Sequence, residues 1–294
     1  MDSSNANLGI RIDASTVAGN FFNSGAIFGK TALKLNNAQI TGAFTNTGFI
    51  ANQGVPSPGD AINFTGSLLL GGFNNALNGL ILSAQTAVQF VNTSLAGGFN
   101  NSGQILATGQ PAFTATNSTI SGGINNTGTF NGASGIRLVN SAAAVAISNT
   151  GVIVASSTLG SAISVSGAIS TLTNATAGTV IGALNGNMDV SNAGLIALQQ
   201  ASGNNTVTGS HVNASISGNY VQATAGTLQI GVIGTTGTGT TSGNFSILNV
   251  AGSATFDANS KLRVNLNQGG AVVIGQTITG VVAATGGVTS SGFT

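Results

Sequence analysis

The hydrophobic and polar positions of this chain follow a short phrase that recurs along most of its length. The phrase has the form apolar, any residue, Asn, small residue, Gly, any residue, apolar. It occurs as FFNSGAI (21–27), AFTNTGFI (43–50), GFNNSGQI (98–105), GINNTGTF (123–130), AISNTGVI (146–153) and VSNAGLI (190–196), with looser versions at 72–81 and 172–181. The Asn of the phrase occupies Asn23, Asn46, Asn75, Asn101, Asn126, Asn149, Asn174 and Asn192. Successive Asn lie 18 to 29 residues apart, so the repeat is irregular in length.

A second alternating segment precedes most of these phrases, as in ALKLNNAQITG (32–42) and AVQFVNTSLAGG (87–98). Alternation of apolar and polar residues is typical of β-strands, so each unit carries about three short strands. One such unit cannot bury its apolar face alone, whereas coils that stack equivalent strands in parallel share a continuous core. The pattern predicts an all-β fold, a right-handed single-stranded parallel β-helix of about twelve coils. Residues 1–217 form its repeat region.

The phrase also indicates which side chains face inward. We expect an inward ladder of apolar side chains at Phe22, Phe44, Phe73, Phe99, Ile124 and Ile147. Corners between strands need left-handed backbone angles, which Asn and Gly adopt most readily. Stacked Asn side chains can also hydrogen-bond along the axis of a solenoid. We therefore assign the eight repeated Asn a structural role as a corner ladder, and not a role in ligand binding.

Composition supports many short strands and narrows the possible functions. Charged residues make up 4% of the chain, against roughly 25% in an average globular protein. The chain has 45 Gly and only 3 Pro, and Val, Ile, Leu and Phe recur throughout. This combination favours strands separated by tight turns, with almost no helix. The six basic residues are scattered, so no nucleic-acid partner is expected, because binding phosphates requires clustered Lys and Arg.

Three absences bear on localisation. The chain has no Cys, which fits export through an oxidising compartment without disulfide bonds. Residues 1–8 carry no signal-peptide pattern. The sequence also has no long unbroken apolar run, so no transmembrane segment is expected.

We expect no catalytic site, no cofactor and no metal ion. Glycoside hydrolysis needs two neighbouring carboxylates, whereas the chain has no Glu and its five Asp lie far apart in the sequence. Asp189 is interpreted as a solvated corner residue. The single histidine, His211, lies in a polar stretch, and no nucleophile motif supplies it with a partner. The sequence therefore predicts a binding or structural module and not an enzyme.

The C-terminal segment 218–294 changes character and consists of alternating groups separated by Gly-rich breaks. Its distinctive positions are Tyr220, Gln222, Gly226, Thr227, Leu228, Ile230, Leu248, Val250, Gly252, Ala254, Gly286, Gly287 and Val288. These residues resemble the junction, or autochaperone, segment of passengers from bacterial type V autotransporters. The resemblance implies that this segment caps the β-helix and helps it fold. It also implies an extracellular location at the bacterial surface and a parent protein anchored by an outer-membrane barrel that this chain lacks.

These observations favour a secreted cell-surface adhesin or self-association module that acts through many weak polar contacts along the rod. Its expected partners are other copies of itself, a surface glycan or a matrix protein. One alternative is a structural subunit of an extracellular fibre, sheath or surface layer, formed when coils stack end to end. A lesser alternative is a carbohydrate-active β-helix enzyme.

Overall fold

The computed structural model describes residues 8–53, 59–157, 159–202, 206–233, 245–266 and 277–292. Throughout these residues the chain consists of strands and turns, without a helix, which confirms the predicted all-β class. No helix that could cross a membrane occurs among them. The strands are short because Gly and Asn interrupt them every few residues, and these two residue types tolerate backbone angles that strands do not use.

The strands of the first half, in chain order, are two to six residues long. They are β1 (Leu8–Asp13), β2 (Thr16–Val17), β3 (Phe21–Asn23), β4 (Ala26–Gly29), β5 (Thr31–Asn36), β6 (Gln39–Ile40), β7 (Phe44–Asn46), β8 (Phe49–Asn52), β9 (Ile62–Thr65), β10 (Leu68–Leu69), β11 (Phe73–Asn75), β12 (Leu80–Ser83), β13 (Val88–Val91), β14 (Ser94–Leu95), β15 (Phe99–Asn101), β16 (Gln104–Ala107), β17 (Phe113–Thr116), β18 (Thr119–Ile120), β19 (Ile124–Asn126) and β20 (Thr129–Gly132).

The strands of the second half are longer on average. They are β21 (Ile136–Ser141), β22 (Ala146–Asn149), β23 (Val152–Ala155), β24 (Ser161–Asn174), β25 (Thr179–Ile181), β26 (Ala183–Asn192), β27 (Leu195–Ser202), β28 (Thr206–His211), β29 (Ala214–Ile216), β30 (Tyr220–Gln222), β31 (Thr227–Val232), β32 (Leu248–Val250), β33 (Ala254–Phe256), β34 (Lys261–Leu266), β35 (Val282–Ala284) and β36 (Val288–Ser290).

Equivalent strands stack in parallel and form three long faces of a solenoid. The first face runs through β1, β5, β9, β13, β17, β21, β24, β26, β29, β32 and β35. The second face runs through β3, β7, β11, β15, β19, β22, β24, β26, β30, β33 and β36. The third face runs through β4, β8, β12, β16, β20, β23, β25, β27, β31 and β34. This stacking confirms the parallel β-helix; its hand and its number of coils stay predictions.

The cross-section of the solenoid changes along its length. The first five coils carry a fourth, two-residue strand between the first and second faces, in the stack β2, β6, β10, β14 and β18. Further on, β24 and β26 each cross both faces as one continuous strand, with register shifts at the former corner. The predicted three strands per unit therefore describe the later coils better than the early ones. The same faces continue on both sides of residues 217 and 218.

The core is one continuous apolar column inside the coils. On the second face, Phe21, Phe44, Phe73 and Phe99 stack with ring centroids 4.5 to 5.3 Å apart. The predicted inward position of Phe22 is wrong, because its side chain is 62% exposed and Phe21 packs on Phe44 instead. Successive side chains of a strand point to opposite sides, so one of two adjacent Phe must face outward.

The left-handed backbone angles lie at a different set of Asn from the one predicted. They occur at the corner after the first-face strands, at Asn37, Asn92, Asn117 and Asn140, and Ala14 and Gly66 fill the same corner in two other coils. The φ values at this corner range from 43° to 59°. The eight repeated Asn end strands with ordinary angles, so the predicted backbone reason for their recurrence is wrong.

Candidate functional site

The eight repeated Asn form one buried column of hydrogen-bonded side chains at the end of the second face. Each Nδ2 donates to the Oδ1 of the next Asn along the axis, from Asn23 to Asn192, at 2.7 to 2.9 Å. Each of these side chains is at most 7% exposed. A buried amide is stable only when its polar atoms are paired, and here the axial repeat supplies the partner.

The same amides also hold the turn between the second and third faces. Asn101 Nδ2, for example, donates to the Thr129 carbonyl at 3.1 Å, in addition to Asn126 Oδ1. The Gly that follows in the phrase is required because neighbouring turns stack closely. A Cβ at Gly103 would lie 2.2 Å from the Gly79 carbonyl oxygen. The Asn and Gly of the repeat therefore belong to the closely packed interior of the solenoid.

A ninth amide, which sequence analysis missed, extends this column. Asn192 Nδ2 donates to Gln222 Oε1 at 3.0 Å, and the Tyr220 hydroxyl also donates to this oxygen. Tyr220 is fully buried, and burial raises the pKa of its phenol far above the usual range. The signal was present in the sequence, since Tyr-x-Gln occupies the register of the apolar-x-Asn phrase.

The outward side of the second face carries one uncharged side chain per coil, which we call the outer row. Its members are in register and are Phe22, Thr45, Asn74, Asn100, Asn125, Ser148, Thr173, Ser191, Val221, Thr255 and Thr289. Parallel neighbours lie about 4.8 Å apart, so hydrogen-bonding groups repeat at that spacing. Asn125 Nδ2 donates to Asn100 Oδ1 at 3.0 Å, which aligns the two amides. From Thr45 to Ser191 the outer row is therefore an ordered array of polar groups at the surface, and the apolar Phe22 and Val221 lie on either side of it.

The third face exposes apolar side chains in the early coils, which we call the apolar strip. It consists of Phe28, Phe49, Leu80, Leu82 and Leu106, on the outward side of four adjacent strands. Phe28 is 42% exposed and packs edge-on against Phe49, with ring centroids 5.3 Å apart.

The same face is covered further along the chain. There the outward Val154, Ile181 and Ala197 are buried in a small second cluster with Ala201. Ala201 belongs to the end of β27, which forms an antiparallel hairpin with β28. Sequence analysis did not predict this cover. The signal was the run VIVA (152–155), because a strand that is buried on both sides is apolar without alternation.

The acidic residues do not come together within the described part of the chain. Asp13, Asp60, Asp189 and Asp257 lie in four different coils, and Asp2 lies outside the described residues. No group of three potential metal ligands occurs among the described residues. Asp189 lies within the continuous strand β26 and not at a corner, and its Oδ1 accepts hydrogen bonds from Asn219 N and Nδ2 at 2.7 and 3.2 Å. It thus caps the backbone of the next coil.

Comparison of the chain with protein-family models, with curated proteins and with solved structures finds no match in any of the three.

Proposed function

We propose that this chain is an extracellular surface module that binds a partner through the outer row, either as an adhesin or by self-association. The observation that carries the proposal is the register of the row, which repeats uncharged hydrogen-bonding groups once per coil. Each contact is weak, but contacts on one rigid body add through effective concentration. The resemblance of residues 218–294 to an autotransporter junction supports the surface location.

The surface chemistry supports self-association as one form of this binding. With 4% charged residues, two copies repel each other little, so their outer rows can approach. The apolar strip adds the exposed Phe28 and the half-buried Phe and Leu side chains beside it, and contiguous apolar surface is typical of interaction sites. The outer row would then align the two copies, and the apolar strip would be buried between them.

The test is sedimentation velocity over a wide concentration range, with negative-stain imaging of the same samples and a screen of uncharged glycans and matrix proteins. The variant to compare is the triple change Asn74→Ala, Asn100→Ala and Asn125→Ala, which removes three adjacent amides of the outer row. We expect the wild-type chain to assemble or to bind a screened ligand, and the triple variant to lose most of that activity. Equal behaviour of the two proteins in both assays would contradict the proposal. Linear filaments that persist in the triple variant would favour end-to-end stacking of coils.

A further inference from the structure

Arg137 is an isolated positive charge on the first face. It is the only charged residue in the sequence between Asp60 and Asp189. Its side chain projects outward from β21 and is exposed. Among the described residues, the ion pair of the structure joins Arg11 to Asp13, and no carboxylate pairs with Arg137. The guanidinium therefore keeps its full capacity to bind an anion.

Arg137 lines a surface cavity of about 370 Å³. The cavity lies where the turns after β16, β20 and β23 reach the first face. Its other polar lining residues are Gln110, Ser134, Ser157, Ser161 and Ser164, and its apolar lining includes Pro111 and Leu159. Leu159 is 98% exposed, which is unusual for a residue of its size and places an apolar side chain at the rim.

The hydroxyls of the cavity are held in place and can still donate. Ser161 Oγ accepts a hydrogen bond from Asn185 Nδ2 at 2.8 Å, and Ser134 Oγ accepts one from the Ser161 backbone N–H at 3.3 Å. A hydroxyl carries one donor and two acceptor positions, so each retains its proton for a ligand. The site thus combines one cation, fixed hydroxyls and a small apolar surface.

We propose that this cavity binds the carboxylate of a uronic acid residue in an acidic polysaccharide. A guanidinium holds a carboxylate through two parallel hydrogen bonds, which fixes its orientation. The Ser hydroxyls match the hydroxyls of a sugar ring, and Leu159 and Pro111 match its C–H face. A single cation also fits a ligand with one charge per sugar better than a nucleic acid, which requires several.

This inference rests on the proposed function and adds to the surface module a second binding site with its own ligand class. The outer row lies on the second face, whereas Arg137 lies on the first, so the two sites can be changed independently. A polysaccharide bound at Arg137 would add a charged contact to the neutral contacts of the rod.

The experiment is calorimetric titration of the whole chain at low salt with tetragalacturonate, with its methyl ester and with a tetraglutamate peptide. We expect binding of tetragalacturonate and at least about tenfold weaker binding of the neutral methyl ester, since a charge-assisted hydrogen bond is lost. Arg137→Gln should weaken tetragalacturonate binding by a similar factor. The matched control is Lys34→Gln, because Lys34 occupies the same outward row of the first face and lies away from the cavity. It should bind like the wild type.

Two outcomes would overturn the inference. Unchanged binding by a folded Arg137→Gln variant would remove Arg137 from the site, and equally tight binding of tetraglutamate would show a site for carboxylates in general. Either result is separable from failure of the proposed function. The triple outer-row variant should still bind tetragalacturonate, and Arg137→Gln should still assemble or bind through the outer row.

Discussion

The inside and the outside of strand β15 differ in how strictly the molecule repeats. Inward, Phe99 stacks on Phe73 with a centroid distance of 4.5 Å, and Asn101 joins the buried amide column. Asn100, which lies between these two residues in the strand, points outward and is half-buried. It belongs to the outer row, whose members vary among Phe, Thr, Asn, Ser and Val from coil to coil. Stacking forces each inward residue to match its neighbours above and below. The outward residues are free of that demand, so their order reflects surface properties.

The largest expected effect is the loss of an inward ring. Phe99→Ala should lower the free energy of unfolding by about 3–5 kcal/mol, because it removes a fully buried side chain and leaves a cavity between stacked rings. Chemical denaturation followed by circular dichroism measures this loss. Phe22→Ala is the control on the outward side and should change stability by no more than about 0.5 kcal/mol. Equal effects of the two changes would contradict the assignment of inward and outward Phe.

A smaller loss is expected from the amide column. Asn101→Ala removes the donor to Asn126 Oδ1 and one acceptor of Asn75 Nδ2. Leaving buried polar groups unpaired should lower the free energy of unfolding by about 1–3 kcal/mol. The same denaturation experiment measures this loss. The adjacent Asn100→Ala is the matched control and should be nearly neutral. A neutral Asn101→Ala would show that the column contributes little to stability.

Substitutions at the corners with left-handed backbone angles should have a still smaller effect on stability. Asn117 has a φ of 48°, so Asn117→Ala should cost about 1 kcal/mol, because a side chain without a local hydrogen bond resists this conformation. Asn117→Gly should retain stability, since Gly66 occupies the equivalent corner two coils earlier. Thermal unfolding of the two variants separates them. If both lost the same stability, backbone strain would not be the reason for the Asn.

The smallest expected effect is a pH dependence. Burial raises the pKa of Asp60 above its ordinary value, against hydrogen bonds from Asn63 and the Thr86 backbone that lower it. The folded state therefore binds the proton of Asp60 more tightly than the unfolded state. The free energy of unfolding should rise as the pH falls from the pKa of Asp60 in the folded state towards its pKa in the unfolded state. Melting temperatures recorded across that range should show the rise. Asp60→Asn should remove it, and a rise that persists in this variant would assign it to another group.

Much of the interior was predictable from the sequence, because stacking repeats the same residue types in every coil. The positions of the amide column could be read from the Asn-Gly phrase. The choice between Phe21 and Phe22 could not, since both are aromatic and the strand is only three residues long. Likewise, local pattern does not distinguish an Asn selected for its backbone angle, such as Asn92, from one selected for its side chain, such as Asn101.

The surface was less predictable because its features depend on neighbours that are distant in sequence. The cavity at Arg137 joins turns from three coils, and only the isolation of that charge is visible in the sequence. The run VIVA (152–155) indicates that part of the third face is covered, but the sequence pattern does not show that the end of β27 covers it.

The most direct test of the account compares stability and association in the same preparations of two variants. One is the triple outer-row variant at Asn74, Asn100 and Asn125; the other is Asn101→Ala. The account predicts that the triple variant keeps wild-type stability and loses association or the binding of uncharged ligands, whereas Asn101→Ala loses stability and its folded fraction still binds. A triple variant that assembles and binds uncharged ligands like the wild type would contradict the claim that the outward side of the second face carries the function.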